Sequence, residues 1–195
     1  MAGKLSGKKV AIVVAHEFED VELLYPLLRL SEEGAEIIVV PVPEGLHPRP
    51  YFEGKPVTGR FGHTVPIPVM AEGYRYTVGS LEQLRAAKVD CLLFPGGYSP
   101  DALRLHKETL DLIREYHRQG KLLAAICHGP WVLISAGIVR GRRLTSTSAI
   151  RDDLVNAGAE WVDAPAVVDG NLVSARVPKD LPAFARAMLG VLGGT

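Results

Sequence analysis

Four short, unbroken apolar runs, KVAIVVA from Lys9, EIIVVPV from Glu36, VDCLLF from Val89 and KLLAAI from Lys121, recur along the chain with longer stretches between them. Runs of this kind read as strands buried on both faces, which is the situation of strands in a parallel sheet. Parallel neighbours need crossover connections, and the stretches between the runs carry helical spacing that supplies them. The pattern therefore predicts helices covering both faces of a mostly parallel sheet.

The first crossover shows the signal well. Val21, Leu23, Leu24, Leu27, Leu28 and Leu30 follow helical spacing and Gly34 supplies a stop, which predicts a helix over Val21–Glu33 that tolerates Pro26 near its start. Further helices are expected over 81–87, 108–119, 130–136, 150–156 and 181–192. A weak edge strand is expected over 64–69, another strand over 144–147, and a hairpin pairs 166–169 with 171–175 around Asp169-Gly170. The stretch from Pro43 to Gly62 is dense in proline and glycine and reads as a long loop.

With 195 residues, 47% of them hydrophobic, the chain can bury one ordinary core, and a single domain over 1–195 is expected. Twenty-two basic residues balance twenty-two acidic ones, so no overall field favours nucleic acid or an anionic membrane. The opening MAGKLSGKK has no apolar core of a leader, and no run approaches the ~20 apolar residues of a membrane span, so a cytoplasmic location is expected. Cys91 and Cys127 have neither a disulfide framework nor a metal-ligand spacing around them. No metal and no cofactor are expected.

The chemistry concentrates at LLAAICHGPWVLISAG, residues 122–137, where a strand turns sharply into a helix at Cys127. In open α/β sheets ligands gather at the carboxyl ends of the strands, and Glu19, Gly97 and Cys127 all follow such ends. A thiol facing the start of a helix is favoured as thiolate, which predicts a Cys127 ionised at neutral pH. A cysteine closing a core strand can equally be packing, and that is the expected role of Cys91 within VDCLLF.

AICHGPWVLISAG, taken with EFEDVELLYP at 17–26, PGGYSPDALRL at 95–105 and NAGAEWVDAPAVVDGNLVSARVPKDL at 156–181, closely resembles the ThiJ/PfpI superfamily and its PfpI branch. The resemblance runs in order along nearly the whole chain. It implies a flavodoxin-like three-layer α/β sandwich, a reactive cysteine at a nucleophile elbow, and a homodimer or a hexamer built of dimers. By motif position, Cys127 is the nucleophile and Glu19 the acidic partner of its sulfur. His128 is the adjoining histidine, and Asp101 is the acid that a neighbouring subunit supplies to orient it. Gly97 and the backbone N–H of His128 match the oxyanion donors. Glu17, Asp20 and Glu22 crowd the same motif as acids suited to a helix start, Asp101 also suits a helix cap, and Gly97 also suits a tight turn. His16 is expected at the same strand ends, either touching substrate or simply in a loop. The stretches 42–54 and 71–80 look longer than in compact members of the superfamily.

The resemblance implies a cysteine enzyme acting on reactive carbonyls without a cofactor, either as a deglycase or as a glyoxalase making lactate from methylglyoxal. Its substrates would be small carbonyl compounds or glycated adducts. Two alternatives stay open: an intracellular cysteine peptidase using His128 as base and Asp101 to orient it, and a redox-responsive stress protein whose Cys127 is oxidised to sulfinate.

Overall fold

The computed structural model describes residues 3–42, 50–67 and 75–193. Its strands are β1 (Lys9–Val14), β2 (Glu36–Pro41), β3 (Thr77–Val78), β4 (Cys91–Phe94), β5 (Leu122–Ile126), β6 (Arg143–Leu144), β7 (Glu160–Trp161), β8 (Ala166–Asp169) and β9 (Leu172–Ala175). Its α-helices are α1 (Asp20–Glu32), α2 (Leu81–Ala87), α3 (Ser99–Leu103), α4 (Lys107–Arg118), α5 (Pro130–Ser135), α6 (Arg151–Asn156) and α7 (Leu181–Gly193).

The main sheet runs β3-β2-β1-β4-β5-β9-β8, parallel throughout except for the β8–β9 hairpin. The apolar runs are doubly buried because successive side chains of each strand enter different cores. Along β1, Val10, Ile12 and Val14 pack with Leu23 and Leu27 of α1 and Phe184 and Met188 of α7. Ala11 and Val13 pack with Leu84 of α2, Ile113 of α4 and Leu133 of α5 on the opposite face. Each such side chain, removed fully from water, contributes roughly 1.5–3 kcal/mol of gross stabilisation. This is the flavodoxin-like three-layer sandwich that the resemblance implies.

Topology also fixes where a site can form. The order β2-β1-β4-β5-β9 reverses direction between β1 and β4, and ligands in open sheets bind outside the carboxyl ends at such a switch point. The segments leaving β1 and β4 meet there: Phe18 bridges to Gly97, Tyr98 N–H donates to the Glu17 carbonyl at 2.9 Å, and Glu19 N–H to the Gly96 carbonyl at 3.2 Å. Cys127 follows the next strand, β5.

Two expectations change, and one helix is unannounced. The edge strand is Thr77–Val78, paired with Ile38 and Val39; the described part of the expected strand, 64–67, is none, and residues 68 and 69 lie outside the described residues. Prolines at 66 and 68 lack the N–H groups a ladder needs, and Thr64 keeps only an isolated bridge to Thr58. The strand expected over 144–147 shortens to β6, which pairs with β7 in a separate two-stranded sheet. Helix α3 has no apolar repeat long enough to announce it, and its Ser99 hydroxyl instead accepts from Ala15 N–H at 2.8 Å, tying it to the end of β1. The expected long stretches 42–54 and 71–80 lie partly outside the described residues. Among those described, no helix is long and apolar enough to cross a membrane.

Candidate active site

Cys127 occupies a left-handed backbone conformation, φ 62°, between β5 and α5. For a residue with a side chain this costs on the order of 1–3 kcal/mol, so the surroundings must over-determine it. Its N–H donates to the Ala175 carbonyl at 3.0 Å and its carbonyl accepts from Thr147 N–H at 3.1 Å, which pins the elbow to two neighbouring segments, the end of β9 and the stretch after β6. The sharp turn lifts the partly buried thiol out of the strand and toward the switch point.

The glycine pair after β4 makes room for it. A Cβ on Gly96 would lie 2.6 Å from the Cys127 Cβ and 2.8 Å from a Glu22 carboxylate oxygen, so only glycine allows the three to meet. Gly97 has φ 72°, and the N–H groups of Gly97 and His128 both reach the sulfur as donors. They form the pair of backbone donors suited to an oxyanion.

The carboxyl that meets the sulfur belongs to Glu22 and not to Glu19. Glu22 is fully buried on α1; its Oε2 accepts from Gly96 N–H at 2.7 Å, and its carboxyl has the Cys127 sulfur as hydrogen-bonding neighbour. Among the described residues, Oε1 has no hydrogen-bond partner. Glu19 is the residue preceding the first turn of α1, so its side chain leaves the helix in a different direction and pairs with Arg60 at 3.0 Å. The motif EFEDVE therefore sends to the sulfur an acid one helical turn later than the one its alignment implies. A usable signal existed: Glu22 shares a helical face with Pro26 and Leu30, both buried, where a carboxyl needs a reason to be.

Burial pushes Glu22 up to about 8, against the Gly96 hydrogen bond, and the nearby Glu19 charge adds to the rise. The Cys127 thiol is pushed up to about 12, first by burial and then by the Glu22 charge, while the two backbone N–H groups pull it down. Burial and the Glu22 charge thus oppose the thiolate that the helix start favours. Cys127 and Glu22 titrate as a pair, since either charge opposes the other. With a proton on Glu22, the like charge at the sulfur disappears and both N–H donors remain.

His128 places Nδ1 3.3 Å from the Cys127 sulfur, so a histidine directly following its cysteine does reach back. Burial and the Arg60 charge hold its pKa below the ordinary value, which keeps it neutral at pH 7 and able to take a proton. Its ring lies 5.1 Å from that of Trp131, which limits its rotation. Asp101 is exposed on α3 and makes no hydrogen bond to His128 within the protomer. It lies inside α3 and not at its cap. His16 anchors the 50–65 segment: its Nδ1 accepts from Thr58 N–H at 3.2 Å and its ring stacks on Phe52 at 4.4 Å. Cys91 is fully buried, and burial raises its thiol beyond any reactive range, in keeping with a packing role.

An open parallel sheet with a cysteine on a strained elbow, a buried carboxyl beside it and two backbone donors over it defines a cysteine-centred class of α/β sandwich proteins. The chain belongs to the DJ-1/PfpI family, whose model matches residues 8–190, and its similarities place it in the PfpI branch. It is 42% identical over 184 residues to the protein named Deglycase PH1704 of Pyrococcus horikoshii, covering 94% of this chain and 99% of that one. Deglycase PfpI of Pyrococcus furiosus is 39% identical over 184 residues, with the same shares covered. The crystal structure of Drosophila melanogaster DJ-1beta superposes with a TM-score of 0.77 at 27% identity, covering 96% of this chain and 91% of that one.

Proposed function

We propose that this protein is a cysteine-dependent deglycase that also isomerises free 2-oxoaldehydes, as a glyoxalase does. The observation that carries the reading is the buried Glu22 carboxyl against the Cys127 sulfur, beneath the N–H groups of Gly97 and His128. Deglycase names among its relatives support the same class.

In this reading the thiol proton passes to Nδ1 of His128 as sulfur adds to the aldehyde carbon. The new oxyanion is met by the two N–H donors. An early adduct on an amine reacts at the same carbon: the C–S bond forms, the C–N bond breaks, and the amine leaves with the proton held by His128. A carboxyl near 8 then suits transfer of the carbon-bound proton from the thiohemiacetal carbon to its neighbour, giving a thioester. Water hydrolyses that thioester to lactate and restores the thiol.

The test is an adduct of methylglyoxal preformed on an amine or guanidine and freed of excess aldehyde. Purified protein should release the free amine and lactate together, and Cys127→Ala should release neither faster than buffer. Equal release by both proteins rules the reading out. The close His128 contact favours one second reading, a cysteine peptidase, for which hydrolysis of an unmodified peptide amide by the wild type is the discriminating result.

Self-association belongs to the same proposal. Asp101 faces solvent on α3, so it can orient His128 only from a second copy of the chain. Asp101→Ala is expected to lower kcat/KM by about tenfold without lowering the melting temperature, read alongside the sedimentation of both proteins. An unchanged rate removes Asp101 from the site.

A further inference from the structure

Arg60 carries no role in the chemistry above, yet the fold goes to some length to place it. Residues 57–65 lie against the segment that leaves β1. Glu17 N–H donates to the Thr58 carbonyl at 2.7 Å and Arg60 N–H to the Phe18 carbonyl at 3.0 Å. Asp20, only 3% exposed, accepts from Phe61 N–H at 2.9 Å, from His63 N–H at 3.0 Å and from His63 Nδ1 at 2.8 Å. The backbone of Arg60 is thus fixed against Phe18, next to Glu19, where a loop arginine would otherwise wander.

Its guanidinium sits over Tyr98, 5.6 Å from the ring centroid, immediately after the oxyanion donor Gly97. One nitrogen pairs with Glu19 at 3.0 Å, and the side chain stays 44% exposed. A guanidinium has five N–H donors in a planar fork, so one contact with Glu19 leaves capacity for a second carboxylate. The Arg60 charge acts on both Glu22 and His128, which flank the sulfur. Without it, an anion approaching Cys127 would meet the carboxyls of Glu19 and Glu22.

We propose that Arg60 is a specificity-determining residue whose guanidinium pairs with a carboxylate on the substrate, so that the site selects carboxylate-bearing carbonyl compounds and adducts over neutral ones of the same size. The proposal rests on the carbonyl chemistry argued above for substrate identity, but its first test does not. Iodoacetate and iodoacetamide both alkylate Cys127, sulfur displacing iodide, and differ in that one carries a carboxylate and the other a neutral amide.

The ratio of their second-order rate constants on Cys127 should fall about five- to tenfold in Arg60→Gln, the size expected for losing one partly exposed charge pair. Arg60→Lys should restore most of the ratio. In parallel, the kcat/KM ratio for the methylglyoxal adduct of Nα-acetylarginine over that of Nα-acetylarginine amide should fall by a similar factor. A ratio unchanged in Arg60→Gln, including a case where both reagents slow equally, overturns the proposal, as does a lysine variant that fails to restore it. If the wild type turns over neither adduct, the carbonyl reading fails while the alkylation ratio still decides the role of Arg60.

Discussion

Glu22→Gln is expected to cut carbonyl turnover by about a hundredfold or more, the usual worth of a positioned acid–base group, while moving the midpoint of Cys127 alkylation to lower pH. The two effects move in opposite directions because they come from different properties of one carboxyl. Glutamine can still accept from Gly96 N–H and still donate toward sulfur, so the pocket keeps its shape. It cannot carry a proton between carbons, so turnover falls. It also bears no charge, so the like-charge contribution that raises the thiol disappears and the midpoint of iodoacetamide alkylation moves to lower pH. An alkylation midpoint that does not move would break the link between Glu22 and the sulfur.

The same substitution has a stability signature with a definite sign. A glutamate held up at about 8 in the folded protein binds its proton more tightly than in the unfolded chain. Between the ordinary carboxylate range and about pH 8 the folded state therefore holds more protons, and wild-type stability declines as pH rises through that window. Glu22→Gln removes this dependence. The difference in melting temperature, variant minus wild type, should widen from pH 5 to pH 8 and flatten above it.

Gly97→Ala is expected to be the most damaging single methyl in the site. Its Cβ would lie 2.2 Å from the Glu17 carbonyl oxygen and 2.7 Å from the Glu19 nitrogen, both backbone atoms that cannot swing aside. The residue also holds φ 72°, which an alanine adopts only with strain. Overpacking and backbone strain together should cost about 3 kcal/mol in urea unfolding. Activity should fall even where the protein remains folded, because the shifted segment carries one of the two oxyanion donors. A loss of stability below about 0.5 kcal/mol, the range of an ordinary surface change, would contradict the close packing of the two segments.

Strands β1, β2, β4 and β5 were legible within a residue or two because burial on both faces leaves an unbroken apolar run such as AIVV. The elbow at Cys127 was legible because the chemistry of a sharp turn, glycine then proline, is local in sequence. Glu22 was not. A glutamate in the first turn of a helix reads as an ordinary dipole partner, and only the fold shows that this one points into the sandwich toward Gly96, 74 residues away. Arg60 was hidden for a related reason: its partner Glu19 lies 41 residues earlier, and nothing in the proline-rich loop marks one arginine among its neighbours. His16 sits at the strand ends as expected, but the side-chain direction that sends it to Thr58 and Phe52 depends on a loop whose path the sequence leaves open. The helix start favours the thiolate and is local in sequence, whereas the burial and the adjacent carboxyl that oppose it come only from the fold.

In the proposed reaction Cys127 attacks a carbonyl and the product leaves through the sulfur. Lactate formation from methylglyoxal by the purified protein, in amine-free buffer without added metal or thiol, tests it directly with Cys127→Ala in parallel. The account predicts steady lactate production by the wild type and a rate at least about a thousandfold lower in the variant, the scale of removing a nucleophile. Lactate made equally by both proteins, or by neither while Cys127 still alkylates, would contradict it.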